Sequence, residues 1–312
     1  MRYTVSEQEN GKTVKEILLG SIGISVSFLR HLKFIENGIM LNGSKVTVRK
    51  QVKHGDVLEL ATENERLGSR LTPNDIPIDI IFEDSELVVP SKPSDMPTHP
   101  SHNHHGDTLA DALAYRYRNE NEPFVFRPIN RLDRNTSGLT IVARNRISAA
   151  RLSESMRSGL IKKQYIAILD GIPPAECGSI ETYMRRTAES IIVREVCGAD
   201  QGGDYALTHY RTIADNGRFS LVAAAPETGR THQLRVHFAH IGCAILGDDI
   251  YGTRSPLIGR HALHAAALAF PHPATDLQTK LFAPLPEDMQ ELSRRLFGAD
   301  ICEKLYELCD LP

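Results

Sequence analysis

Asp133 stands between two arginines in Arg127-Pro128-Ile129-Asn130-Arg131-Leu132-Asp133-Arg134-Asn135-Thr136-Ser137-Gly138-Leu139, a charged, turn-rich stretch that runs into apolar residues. If Arg131 and Arg134 are neighbours in space as well as in sequence, they hold its carboxylate ionised at neutral pH, and an ionised carboxylate can be a nucleophile. The same residues would serve equally as a structural ion pair, the ordinary reading of an acid between two arginines. From Arg127 to Lys163 the basic side chains are Arg127, Arg131, Arg134, Arg144, Arg146, Arg151, Arg157, Lys162 and Lys163, opposed only by Asp133 and Glu154. An acid inside such a field is either charge-paired for stability or set against a polyanion.

A second basic run lies near the start: Arg30, Lys33, Lys45, Arg49, Lys50 and Lys53, with Glu36 the only acid between them. It suits phosphate contacts, or simply a solvated face. Over the whole 312 residues the net charge is −3, so any affinity for nucleic acid must come from these local concentrations.

The elements that must position these groups fall into two parts. In residues 14 to 60, two short helical patterns (Val14, Ile17, Leu18, then Phe28, Leu29, Leu32, Ile35) precede strands at Ile39 to Leu41 and Val57 to Leu60, with Ser25 a cap for the second helix. Asn42-Gly43 predicts a hairpin into Lys45-Val46-Thr47, because both residues tolerate positive φ. Residues 61 to 77 lack periodicity and read as a linker. Beyond it, strands are expected at Ile78 to Phe82, Glu86 to Val89, Leu139 to Val142, Tyr165 to Leu169, Ile191 to Val196 and Arg218 to Ala224. Helices are expected near Thr108 to Tyr117, Ile147 to Leu160 and, at the C-terminus, Leu285 to Leu308 with Pro286 in its first turn. The mixture predicts an α+β catalytic domain.

Hydrophobic content of 41% allows one large domain and a small one. No stretch approaches the roughly 20 apolar residues of a bilayer crossing, and the first residues are polar, which argues against secretion or membrane insertion. The five cysteines, Cys177, Cys197, Cys243, Cys302 and Cys309, are scattered and unpaired in spacing, which points to the cytoplasm. His99, His102, His104 and His105 crowd one loop, but no acid or cysteine completes a metal-ligand spacing, so no metal is expected. A glycosidase would share a carboxylate acting at a sugar carbon, yet no motif supplies its second carboxylate.

Two resemblances sharpen this reading. Leu29-Arg30, Gly38-Ile39-Met40-Leu41-Asn42-Gly43, Val52 and Gly55-Asp56 resemble the S-four RNA-binding domain. Arg131-Leu132-Asp133-x-x-Thr136-Ser137-Gly138 resembles the catalytic signature of the RluA-type RNA pseudouridine synthases. Lys92-Pro93 with His99-Pro100, Gly106-x-Thr108-Leu109, Lys163-x-Tyr165-x-Ala167, Thr228 to His237 and Gly247-Asp248-x-x-Tyr251-Gly252 follow in that family's order. Together the resemblances cover nearly the whole chain.

They imply an S-four-like domain at residues 1 to 62, a linker at 63 to 77, and a pseudouridine synthase domain at 78 to 312 built on a mixed, largely antiparallel sheet with flanking helices. The implied reaction breaks the bond from uracil nitrogen 1 to ribose, turns the base, and joins carbon 5 to the sugar, with no cofactor or metal. Asp133 would attack the sugar or assist proton abstraction beside it. Tyr165 would contact the target uracil and serve in proton transfer at carbon 5. Arg235 would pair with Asp133, and Arg131 would help fill the space left by the flipped base. Arg131, Arg134, Thr136, Arg230 and His232, with Arg30, Lys33, Lys45 and Lys50, are the candidate RNA contacts. The expected partner is RNA, ribosomal before transfer RNA, with no membrane, no obligatory protein partner and a monomeric enzyme. Where the family most often has His before Arg-Leu-Asp, this chain has Asn130, which cannot exchange protons near neutral pH. An ordering role for that position is expected. A catalytically inactive RNA-binding or ribosome-assembly factor is the competing expectation, and Asn130 is its only support.

Overall fold

The computed structural model describes residues 2–24, 26–34, 37–61, 71–101, 104–119, 124–190 and 192–298. Residues 2–61 have their own sheet and their own apolar cluster. Strands β1 (Arg2–Thr4), β2 (Ile39–Leu41), β3 (Ser44–Lys45) and β4 (Val57–Leu60) pair antiparallel in the order β1-β4-β2-β3. Helix α1 (Val14–Glu16) continues as a π-helical turn through Ile17–Ser21, and α2 (Val26–Phe34) follows. Val14, Ile17, Leu18, Leu32 and Leu58 are fully buried between helices and sheet, and Ile147 from the larger part joins this cluster. The expected hairpin is present, with Asn42 at φ 50° and Gly43 at φ 77°. Its second strand stops at Lys45, short of the expected Thr47. The expected cap Ser25 lies outside the described residues.

The larger part carries, in chain order, β5 (Asp79–Glu83), β6 (Leu87–Lys92), α3 (Leu109–Arg116), β7 (Arg127–Pro128), β8 (Ser137–Leu139), β9 (Val142–Ala143) and α4 (Arg146–Arg157). There follow β10 (Lys162–Asp170), β11 (Cys177–Arg186), β12 (Arg194–Cys197), β13 (Asp204–Asp215), β14 (Phe219–Pro226), α5 (Gln233–His240), β15 (Leu263–Pro271), β16 (Gln278–Phe282) and α6 (Glu287–Phe297). Among the described residues these strands form one 12-stranded sheet in the order β12-β11-β13-β14-β10-β15-β8-β6-β9-β7, with β16 on β15 and β5 on β6. Only β8 and β15 run parallel; every other pair is antiparallel. The mixed, largely antiparallel sheet with flanking helices is therefore as expected.

Burial follows from position in this order. β10 lies between β14 and β15, and Lys163 through Leu169 are all buried. The alternation of β6 turns Val88 toward Leu109 and Leu113 of α3, and turns Leu87 and Val89 toward Leu152 of α4, so helices cover both faces. α3 starts at a capping box in which Thr108 accepts from the Asp111 amide and Asp111 accepts from the Thr108 hydroxyl at 2.6 Å.

Three expectations change. The single strand at Leu139 to Val142 is two short strands, β8 and β9, because the chain leaves the β15 partner and then pairs with β6 further along. Strand Ile191 to Val196 begins at Arg194. Strands β11, β13, β15 and β16 were not expected: in β11, polar residues alternate with buried ones on a half-exposed face. The C-terminal helix runs from Glu287 to Phe297, and the rest of its expected length lies outside the described residues.

Candidate active site

Asp133 lies in the loop between β7 and β8, and that loop is held at four consecutive carbonyls, those of residues 132 to 135. The Thr98 hydroxyl donates to Leu132 O at 3.0 Å, Thr136 N–H to Asp133 O at 3.1 Å, and the Lys92 ammonium to Arg134 O at 3.0 Å. Arg260 Nη1 donates to Asn135 O at 3.0 Å. Lys92 is fully buried and also donates to Pro93 O and Met96 O, both at 2.8 Å, so one ammonium ties residues 93–96 to the Asp133 loop. Burial first, then Arg260, bring that ammonium down to about 7 against the opposing pull of Asp133 and Asp95.

Two further residues explain the loop's exit. Asn130 accepts from Ile141 N–H at 2.8 Å and donates to Leu139 O at 3.2 Å, so its amide bridges backbone that would otherwise be unpaired. The amide thereby orders the exit of the loop. Gly138, at φ 111°, lies against β15 so closely that a Cβ would stand 2.2 Å from Ala265 O, which no side chain can meet.

Facing Asp133 are two groups from the start of α5. Arg235 Nη1 is 3.7 Å from Asp133 Oδ2, and His232 Nε2 is 3.8 Å from the same oxygen. Arg235 is only 4% exposed, and its Nε and Nη2 each donate to Asp248 at 2.7 Å, leaving Nη1 for Asp133. Burial works against the guanidinium, but the hydrogen bonds to Asp248, helped by Asp133, hold it above its ordinary range. Asp248 is fully buried and accepts two more bonds, from Ile250 N–H and Tyr251 N–H. Arg235 is thus a fixed guanidinium whose own charge is paired within the protein by Asp248.

His232 has φ 58°, a left-handed conformation at the entrance to α5 that turns its ring between Tyr251 and Asp133. Burial lowers its pKa, which keeps the imidazole neutral. The Tyr251 hydroxyl accepts from Arg194 N–H at 2.8 Å, which leaves its own hydrogen for His232 Nδ1 at 2.9 Å. A neutral ring that accepts from Tyr251 at Nδ1 carries its proton on Nε2, the nitrogen that faces Asp133.

Tyr165 and Lys163, two residues apart on β10, share the strand face that lines the same cleft. Burial, and secondarily the Asp133 carboxylate, push the Tyr165 phenol well above its ordinary range. It therefore stands as a neutral donor and a flat stacking surface. The cleft has a volume of about 1230 Å³ and is walled by residues 97–101, 128–134, 226–235, Lys163 and Tyr165.

Asp133, Tyr165 and Arg235 are thus brought together, as are Arg131, Arg134, Thr136, Arg230 and His232. Their tasks differ from the sequence expectation in two respects. The cation at Asp133 is Arg235, with the neutral His232 ring beside it, and not its chain neighbours: Arg134 turns outward to Asp95 at 2.7 Å, and Arg131 is exposed. Thr136 is 2% exposed with its hydroxyl bonded to His261 at 2.8 Å, so it supports the cleft from within. Arg230 is exposed and anchored to Tyr205 O at 3.0 Å. Arg30 and Lys33 on α2, Lys45 on β3 and Lys50 in the loop that follows are exposed, outside the cleft. Of the clustered histidines, His99 lines the cleft with its ring edge on Phe126, His104 pairs with Asp107, and His102 lies outside the described residues. Sequence reasoning did not find Asp248 as the partner of Arg235, nor Arg260 and its ion pair with Asp288; the Gly247-Asp248 motif was the only signal for the first.

The family model described as RNA pseudouridylate synthase matches residues 86–240. Over 280 residues the chain is 35% identical to the uncharacterized RNA pseudouridine synthase YjbO of Bacillus subtilis, covering 90% of this chain and 98% of that protein. It is 34% identical over 278 residues to the ribosomal large subunit pseudouridine synthase D of Haemophilus influenzae, covering 83% of each. Among solved structures, human RNA pseudouridylate synthase domain containing 1 superposes with a TM-score of 0.58 at 25% identity, over 69% of this chain and 87% of that one. The chain belongs to the RNA pseudouridine synthase family.

Proposed function

We propose that this enzyme isomerises specific uridines of large-subunit ribosomal RNA, with Asp133 as the nucleophile toward a uridine drawn out of the folded RNA. The observation that carries the reading is a partly exposed carboxylate on a pinned loop, 3.7 Å from a guanidinium that Asp248 locks from behind. In the proposed course, a carboxylate oxygen bonds to ribose carbon 1′ as the bond to nitrogen 1 breaks. The uracil turns within the cleft, and carbon 5 then bonds to carbon 1′ as the carboxylate leaves. The carbon 5 hydrogen leaves as a proton that passes to water, and nitrogen 1 takes up a proton in exchange. Tyr165, buried and protonated, would stack on the base and donate to it; Arg131 would occupy the vacated place in the RNA. Several relatives carry the name ribosomal large subunit pseudouridine synthase D, which favours ribosomal over transfer RNA.

Residues 1 to 62 are assigned as an S-four-like module that delivers RNA, residues 63 to 77 as a linker, and 78 to 312 as the catalytic domain. The exposed Arg30, Lys33, Lys45 and Lys50 support the first assignment. The enzyme is taken to act as a monomer in the cytoplasm. Among the described residues no helix is long and apolar enough to cross a membrane.

The test is tritium release from RNA labelled at uracil carbon 5, which demands chemistry and not binding alone. Wild-type protein should release tritium; purified Asp133→Asn should bind RNA within about threefold of wild type and release none. Turnover by that variant at the wild-type rate would remove Asp133 from the mechanism, and a silent wild type would favour a role confined to RNA binding.

A further inference from the structure

The buried cations around the cleft are each engaged, with one exception. Lys92 has three carbonyls, Arg235 has Asp248, and Arg260 has Asp288. Lys163 is 8% exposed, yet among the described residues its ammonium has neither a hydrogen-bond nor an ion-pair partner. Burial alone acts on it, bringing it down to about 8, and no carboxylate, Asp133 included, offsets this. Its stem is buried while the ammonium lines the cleft with no partner from the protein, which fits an occupant of opposite charge.

The surroundings say which occupant. Lys163 shares the β10 face with Tyr165, roughly 6.6 Å along the strand. That is comparable with the reach from a pyrimidine ring to the phosphate of its own nucleotide. Beside it runs the loop Thr228 to Thr231: a Cβ built on Gly229 would stand 3.7 Å from Lys163 Nζ, an ordinary contact that places the ammonium next to this loop.

We infer that Lys163 is the seat of the target nucleotide's own phosphodiester, an anion that completes its pairing only when the uridine has entered the cleft. This rests on the cleft taking a flipped uridine, as proposed above. The phosphate thereby fixes the sugar relative to Asp133 while the base is free to turn, since the contact is made to the part of the nucleotide that does not move.

The experiment uses the full-length enzyme and in vitro transcribed large-subunit ribosomal RNA tritiated at uracil carbon 5. Lys163→Met should lower kcat/KM at least tenfold, the size of a charge-assisted hydrogen bond lost. The slope of log(kcat/KM) against log salt should become shallower by roughly 0.7 to 0.9, the signature of one phosphate contact. Lys163→Arg should restore the slope and part of the rate. Thermal melting of Lys163→Met should occur at or above the wild-type temperature, because an unpaired buried amine has been replaced by an apolar chain of similar length. Unchanged kcat/KM, lost activity with an unchanged salt slope, or a lowered melting temperature would each overturn the assignment. A wild type that releases no tritium would instead defeat the reading of the cleft itself.

Discussion

The N-terminal basic run from Arg30 to Lys53 and the cleft around Asp133 carry cations at similar density along the chain, yet they hold them in opposite ways. Arg30, Lys33, Lys45, Arg49, Lys50 and Lys53 are all exposed. In the cleft, Arg235 is nearly buried, doubly bonded to a fully buried Asp248, and aimed at Asp133. Exposed cations on flexible stems attract phosphate at long range and are screened by salt. A desolvated, crossbraced guanidinium acts at one atom and is already oriented before substrate arrives. In the proposed reading the same residue types serve capture in one region and chemistry in the other.

That contrast can be broken most decisively at Asp133. Asp133→Asn should cost on the order of 10⁴-fold or more in kcat, with the RNA affinity nearly unchanged, as measured by tritium release and filter binding. A loss confined to affinity would place Asp133 with the capturing cations. Next in size is Asp248→Ala, which leaves Arg235 buried without its carboxylate. Denaturant melts should show a loss of about 3–5 kcal/mol, and activity should fall with it. A neutral result would mean that Arg235 is not held in the way its bond lengths indicate.

On the capturing side, Arg30→Gln, Lys33→Gln, Lys45→Gln and Lys50→Gln combined should weaken RNA binding by roughly 10- to 100-fold and flatten its salt dependence. kcat at saturating RNA should stay within about twofold. A fall in kcat equal to the fall in affinity would erase the distinction between the two regions.

Acid should separate them too. His237 and His264 are held down to about 4 and His261 to about 3, in each case chiefly by burial, all within the larger part. In the unfolded chain these imidazoles take protons below about 6.5, while in the fold they stay neutral, so the unfolded state binds more protons and stability is lost as pH falls from 6.5 toward 3. Glu9 in the N-terminal unit, despite the opposing effect of burial, is lowered to about 2 by hydrogen bonds from Ser21, Ser6 and Tyr3. Its contribution is present above about 4.5 and lost as pH falls to about 2. Hydrogen exchange between pH 6.5 and 4.5 should therefore show β10 and β15 losing protection while β2 and β4 keep theirs. The smallest effect is expected at Asn130→His: a rate change of about threefold or less, since the native amide already bridges Leu139 and Ile141. A large gain in turnover would show that this position belongs to proton transfer.

Much of this organisation was legible in the residues alone. The hairpin at Asn42-Gly43, strands at Ile39–Leu41 and Val57–Leu60, and the helix begun by Thr108 follow from local backbone preference and short-range capping, which a sequence contains in full. Asp133, Tyr165 and Arg235 were identifiable as a set from ordered motifs. What surrounds them was not. Arg134 is adjacent to Asp133 in the chain and turns away to Asp95, whereas Arg235, about a hundred residues on, is the cation that faces it. Strands β11, β13 and β15 were missed because half-exposed or small-residue strands carry weak periodic signals of their own. The sequence by itself determined which side chains are present and which local turns and helices they favour. Only the tertiary structure decided which charges meet and which are desolvated, because Coulomb energy and burial depend on separations in space that β-sheet pairing sets between segments far apart in the chain.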